Sequence, residues 1–274
     1  MQSAKIVFIG GGNMARALIG GLRASAGEGL SITVSDPNVD QRQQLEQQFG
    51  VAGTDDNIAA IDGAQIIVLA VKPQILADVA RQLAPHVQPD QLVISVAAGV
   101  TTQVLSNWLG GHQALVRAIP NTPAMIGCGA TGLYAPAGVS AKLRSEAESL
   151  MRAVGIVQWV EDEALIDSIT ALSGSGPAYV FLVMEAMQAA AEKLGLDEKA
   201  ARLLTLETVF GAARLAMESN DTPAVLRSRV TSPGGTTEQG IKALEEAGVR
   251  EAFEKALAAA RNRSIELAAQ LEKH

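Results

Sequence analysis

The chain is poor in the side chains that carry redox and metal chemistry. It has one cysteine, Cys128, so it forms no disulfide within itself, and with no histidine near it in sequence Cys128 reads as a small packing residue, not a nucleophile. Its three histidines, His86, His112 and His274, lack metal-ligand spacing, and no structural metal is expected. Basic charge is also short: 22 Lys and Arg stand against 29 Asp and Glu, a net charge of −7. With no basic stripe, a nucleic-acid surface or an anionic-membrane surface is not expected, and any anionic ligand must be gripped locally. Nothing ahead of the first apolar run resembles an export signal, and runs such as Ile66–Val71 are too short to cross a membrane, so the expectation is a cytoplasmic protein.

What is present is a large apolar fraction, 48%, in 274 residues, enough for one large or two ordinary domains. Short β runs alternate with helical segments over the first part: Lys5 to Ile9, Ser31 to Ser35, Gln65 to Ala70, Gln91 to Val96, Ala114 to Ala118 and Gly155 to Val160. Runs apolar on both faces suit parallel strands buried between helix layers. From Glu163 the β signal ends, and helices are expected at Pro177 to Leu194, Glu198 to Glu218, Pro223 to Arg229, Thr236 to Ala247 and Val249 to Glu272. The reading is an α/β domain over 1–162 and an all-helical domain over 163–274. The helix from Ala178 to Ala191 is apolar around most of its circumference, which demands cover on every side. A partner subunit supplies that cover in an obligate dimer; a central helix in a self-contained bundle is the alternative.

The first strand turns through Gly10-Gly11-Gly12 into a helical pattern, with Ala15 in the third place of a G-x-G-x-x-G/A fingerprint. Gly10 makes the tight turn, Gly12 lets a pyrophosphate approach the backbone, and the second strand ends in Asp36, the context that a dinucleotide site requires. Loops after later strands, Val71-Lys72-Pro73, Ala97-Ala98-Gly99 and Ile119-Pro120-Asn121, should rim the same crevice. Lys72 offers charge, Ala97 to Gly99 a flat backbone, and Asn121 a hydrogen bond, although ordinary turn chemistry accounts for each singly.

A second constellation lies within Val230 to Gly240, where Ser232 to Thr237 sets two glycines and three hydroxyls at a helix start, the build of a small-anion pocket. A capped interhelical loop answers to the same residues.

Taken together, Phe8 to Ala15, Ala70-Val71-Lys72-Pro73, Pro120-Asn121-Thr122-Pro123, Gly174-Ser175-Gly176-Pro177-Ala178-Tyr179 and Ser232-Pro233-Gly234-Gly235-Thr236-Thr237 resemble the pyrroline-5-carboxylate reductases, which make proline. The last two blocks are the specific ones. The resemblance implies a Rossmann-type N-terminal domain, an all-α C-terminal dimerisation domain interleaved with that of its partner, rings of dimers such as a decamer, and an active site between one subunit's cofactor and the dimerisation region. It implies that Ser232, Gly234, Gly235, Thr236 and Thr237 hold the carboxylate of 1-pyrroline-5-carboxylate, with Thr237 facing the ring nitrogen and Ser175 a weaker site candidate. On the cofactor it implies Ile9, Gly10, Gly11, Gly12, Asn13, Met14, Asn57, Ala70, Val71, Lys72, Pro73, Ala97, Ala98, Gly99 and Glu163. Ser35, Asp36, Pro37 and Asn38 would face the adenine ribose. Asp36 favours the free 2′-hydroxyl of NADH, whereas Ser35, Asn38 and Arg42 suit the 2′-phosphate of NADPH; the resemblance favours NADPH, with NADH competent. Keto-acid reductases of like architecture commonly use a lysine, and Leu172 to Phe181 contains none. A non-catalytic dinucleotide sensor would share the fold but has no need of the Ser232 to Thr237 pocket.

Overall fold

The computed structural model describes residues 4–26 and 29–272, and the chain divides into two compact units. The first runs through Ser175 and takes back the chain from Ala259; the second is Gly176–Ala258.

The first unit is an eight-stranded sheet. Its strands are β1 (Lys5–Ile9), β2 (Ser31–Ser35), β3 (Ala52–Thr54), β4 (Ile66–Leu69), β5 (Leu92–Ser95), β6 (Leu115–Ile119), β7 (Gly129–Tyr134) and β8 (Gly155–Trp159). The helices between them are α1 (Asn13–Ala26), α2 (Val39–Phe49), α3 (Asn57–Ile61), α4 (Pro73–Leu83), α5 (Thr102–Trp108) and α6 (Ala141–Arg152), followed by α7 (Leu165–Ile169) and a π-helical stretch over Thr170–Gly174. Strand order is β3-β2-β1-β4-β5-β6-β7-β8, parallel throughout except for the antiparallel pairing of β6 with β7. The order reverses between β1 and β4, the switch point at whose carboxyl edge ligands of such sheets bind.

Burial explains the strand sequences. On β1, Ile6 and Phe8 point into one core with Leu18 and Leu22, while Val7 and Ile9 enter the opposite core with Leu76 and Leu83. A strand covered on both sides must be apolar at every position, and each such aliphatic contributes about 1.5–3 kcal/mol. Local signals set the ends of helices: Asn38 caps α2 by accepting from the Asp40 and Gln41 amides, Gly50 closes it in the left-handed region, and Pro73 opens α4.

Two strands escape the sequence reading. β3 is only three residues long. β7 reads Gly-Ala-Thr-Gly-Leu-Tyr, and its small residues answer to close packing: a Cβ on Gly132 would lie 2.6 Å from Ile169, and one on Gly129 would lie 2.8 Å from the Val154 carbonyl. Space selected glycine there, and glycine erases the β-branched signal.

The second unit holds α8 (Gly176–Lys193), α9 (Glu198–Glu218), α10 (Pro223–Arg229), α11 (Thr236–Glu246) and the first part of α12 (Val249–Leu271). Within 176–258, the described residues that are buried are Ala201 and Thr205 alone. Phe181 is 62% exposed, and Leu182, Leu203, Leu204 and Phe210 are more than half exposed. The apolar girth of α8 is uncovered within one chain.

The sequence places the boundary at 162/163. In compactness the chain instead breaks at Ser175, because 163–175 and the end of α12 pack with the sheet: Ser264 Oγ donates to Asp167 Oδ1 at 2.7 Å, and Leu271 packs on the core that holds Val7 and Ile9.

Candidate active site

The glycine turn after β1 has the shape that a dinucleotide needs. Gly10 sits at φ +100°, and a Cβ there would come within 2.7 Å of the Ala70 carbonyl, so the turn nests directly against the residue that follows β4. Its amide donates to the Ser35 carbonyl at 2.7 Å, and the Ala70 amide donates to the Ile9 carbonyl at 2.8 Å. Above Gly12 the opposite holds: a Cβ would meet nothing within 4 Å among the described residues, which leaves the backbone open to a pyrophosphate. Asn13 and Met14 then start α1, whose first amides face that opening with no acidic residue in the first turn. These residues fit an NAD(P) pyrophosphate.

At the ribose corner the side chains are held by one another. Asp36 is 9% exposed, and its Oδ2 accepts from the Gly11 amide at 2.7 Å while its Oδ1 accepts from the Asn38 amide at 2.8 Å. Ser35 Oγ donates to Asn57 Oδ1 at 2.7 Å, and Asn57 Nδ2 donates to Gln82 Oε1. Arg42 Nη1 donates to the Asp36 carbonyl, and its Nη2 lies 3.9 Å from Asp55 Oδ2.

The remaining loops gather on the same edge of the sheet. Lys72, just before α4, makes no side-chain capping bond. Ala98 and Pro73 line a pocket of about 310 Å³ with Gln74, Leu267 and Leu271, and Gly99 turns at φ +76°. Two predicted cofactor contacts have their polar groups committed elsewhere. Asn121 is buried, its Nδ2 donating to the Ser173 carbonyl and its Oδ1 accepting from the Ala130 amide. Glu163 accepts from the Thr102 amide at 2.8 Å and the Thr102 hydroxyl at 2.7 Å, and pairs with Arg117 at 3.1 Å. Sequence reasoning missed Arg117, which is 2% exposed and also lies 3.8 Å from Asp167. The signal was available: a cation inside the apolar run Leu115–Ile119 of a covered strand requires carboxylates nearby.

On the second unit, the Ser232–Thr237 loop leads into α11. Gly234 turns at φ +72°, the Gly235 amide donates to the Ser232 carbonyl at 3.0 Å, and Gly235 is an N-cap that brings no side chain. The first amides of α11, beginning at Thr236 and Thr237, therefore keep no side-chain cap and face outward. Glu238 reaches back so that its Oε2 accepts from the Gly234 amide at 2.8 Å, a carboxylate already resting on this loop. Ser175 is the C-cap of the π-helical stretch, its amide donating to the Thr170 carbonyl.

Among the described residues no group of three His, Cys, Asp or Glu side chains is placed to hold a metal, and no helix is long and apolar enough to cross a membrane. His274 lies outside the described residues.

Two family models match the chain. Residues 163–267 match the family model for pyrroline-5-carboxylate reductase dimerisation, and residues 5–99 match that for coenzyme F420-dependent NADP oxidoreductase. The chain is 49% identical to a pyrroline-5-carboxylate reductase of Pseudomonas aeruginosa over 271 residues, 99% of each chain. The structure of a pyrroline-5-carboxylate reductase from Coxiella burnetii superposes with a TM-score of 0.91 at 49% identity, covering 97% of this chain and 98% of that one. A Plasmodium falciparum pyrroline carboxylate reductase with NADP bound gives 0.86 at 26% identity, covering 98% and 99%. With a glycine turn fit for NAD(P) on one unit, an open helix N-terminus on the other and full-length identity of this order, the chain belongs to the pyrroline-5-carboxylate reductase family.

Proposed function

We propose that the protein reduces the C=N bond of 1-pyrroline-5-carboxylate to give L-proline, the last step of proline biosynthesis. Full-length similarity to reductases of this substrate supports the reading, and the observation that carries it is the α11 N-terminus behind the Ser232–Thr237 loop, which has no side-chain cap. Bound NAD(P)H supplies the hydride for the imine carbon. The chain's own residues do the rest. Gly10 to Met14 hold the pyrophosphate, and the backbone around Ala70 to Pro73 and Ala97 to Gly99 fixes the nicotinamide end. The amides and hydroxyls of Ser232, Gly234, Gly235, Thr236 and Thr237 hold the substrate carboxylate, and Ser175 contributes a further hydroxyl. The Thr237 hydroxyl faces the ring nitrogen and donates or relays its proton, unless the substrate arrives already protonated as the iminium; a threonine is a weak acid, so positioning carries most of the rate.

Two copies of the chain interleave their helical units into a homodimer, and dimers assemble further into a ring such as a decamer. The match to a dimerisation model and the exposed apolar faces of α8 and α9 support an oligomer. The direct test mixes purified protein with 1-pyrroline-5-carboxylate and NADH or NADPH, follows the reduced-nicotinamide absorbance and identifies the product by mass. Proline formed in step with cofactor oxidation establishes the reaction; bound dinucleotide without turnover points to the sensing role instead.

A further inference from the structure

We infer that the ribose corner selects NADH over NADPH, with Asp36 as the discriminating residue. The inference rests on the dinucleotide reading of the β1–α1 turn and concerns the group at the adenosine 2′ position.

Each donor that would receive a 2′-phosphate is already turned inward. The Asn38 amide donates to Asp36 Oδ1, and the Asp40 and Gln41 amides at the start of α2 donate to Asn38 Oδ1 at 2.9 and 3.2 Å. The Ser35 hydroxyl donates to Asn57. Arg42, the cation that sequence suggests for a phosphate, donates to the Asp36 carbonyl and faces Asp55. What the corner offers is the Asp36 carboxylate, and it cannot swing aside: each of its oxygens holds a backbone amide, and one of those amides, that of Gly11, belongs to the glycine turn itself. A carboxylate has lone pairs to spare beyond these two bonds, so it can accept from a ribose 2′-hydroxyl. A 2′-phosphate placed there brings a second anion against a fixed one, and moving the carboxylate would unseat the turn that binds the pyrophosphate. The field around the corner adds to this, since Asp40, Asp55 and Asp56 lie on the adjoining segments.

Direct binding of NADH and NADPH to the full chain, by calorimetry without substrate, tests the inference. NADH is expected to bind at least about tenfold more tightly, a modest value for avoiding a like-charge contact. Asp36→Asn keeps the shape and an oxygen acceptor but removes the charge; it is expected to narrow the ratio several-fold through tighter NADPH binding. Arg42→Ala is expected to leave the ratio unchanged, because the guanidinium is committed within the chain. NADPH binding as tight as NADH in the unaltered protein overturns the inference, as does an unmoved ratio in folded Asp36→Asn or a tenfold loss of NADPH affinity in Arg42→Ala. If Asp36→Asn fails to fold, the ratio in the unaltered protein and the Arg42→Ala result still decide. Binding of neither cofactor would overturn the dinucleotide reading as well, whereas equal binding of both would overturn only the preference.

Discussion

His112 is a buried imidazole whose Nε2 meets the Gln91 carbonyl at 2.9 Å, and desolvation, the larger effect, holds its pKa below the ordinary 6.5 despite that bond. The folded chain thus takes up a proton less readily than the unfolded one. Its contribution to stability is complete above pH 6.5 and is lost as pH falls through 6.5 toward the lower folded value. A melting temperature that drops between about pH 7.5 and about pH 5.5, with a smaller drop in His112→Gln, is the expected result. Arg117 is the costlier residue. Removing it as Arg117→Ala strands Glu163 and Asp167 in a partly buried site and should destabilise the first unit by about 3–5 kcal/mol, read by chemical denaturation. At Thr237 the effect should fall on rate: Thr237→Ala is expected to lower kcat by about a hundredfold with NADH affinity unchanged. The site was legible unevenly at this scale. The tight turn at Gly10 and the open backbone at Gly12 are legible because few residues other than glycine fit them, and Asp36 because its carboxylate stands just past β2, where it can take two amides. Asn121 and Glu163 are expected near the dinucleotide, and the polar groups of both also brace the chain from within, a second role that spacing along a sequence does not carry.

Among the elements, those with a strong period or a strong cap were legible. α9 and α10 span the expected residues, each opening at a side-chain cap, Asp197 and Thr222, with Pro223 starting α10, and β1 and β2 match their apolar runs residue for residue. β7 was not legible, since its identity lies in what it packs against. Gly132→Val should destabilise by about 1–3 kcal/mol, because the added methyls enter space within 2.6 Å of Ile169; a denaturation midpoint unchanged from that of the unaltered protein would refute the packing account. α8 shows the reverse case: its extent, to within a residue at each end, and its need for cover were both visible in sequence, and its apolar faces stay exposed in the single chain. Replacing Phe181 and Leu203, both more than half exposed, with glutamate should convert the oligomer to monomer in sedimentation, with the glycine turn still binding dinucleotide.

For the whole molecule, the two units differ in what holds them. The sheet unit closes two cores of its own, one on each face, and its stability belongs to the chain. The helices of 176–258 bury almost nothing of themselves, so in the proposed oligomer their free energy of folding is drawn from association. Mass action then enters the melting curve. The transition of the helical unit should rise with protein concentration while that of the sheet unit does not, and dilution alone should separate two events that coincide in a concentrated sample. In the proposed oligomer a nascent chain would pair its strands first, dock the end of α12 on them last, and wait for another copy to cover its helices, which would make synthesis rate a determinant of how much of this protein is ever fully folded.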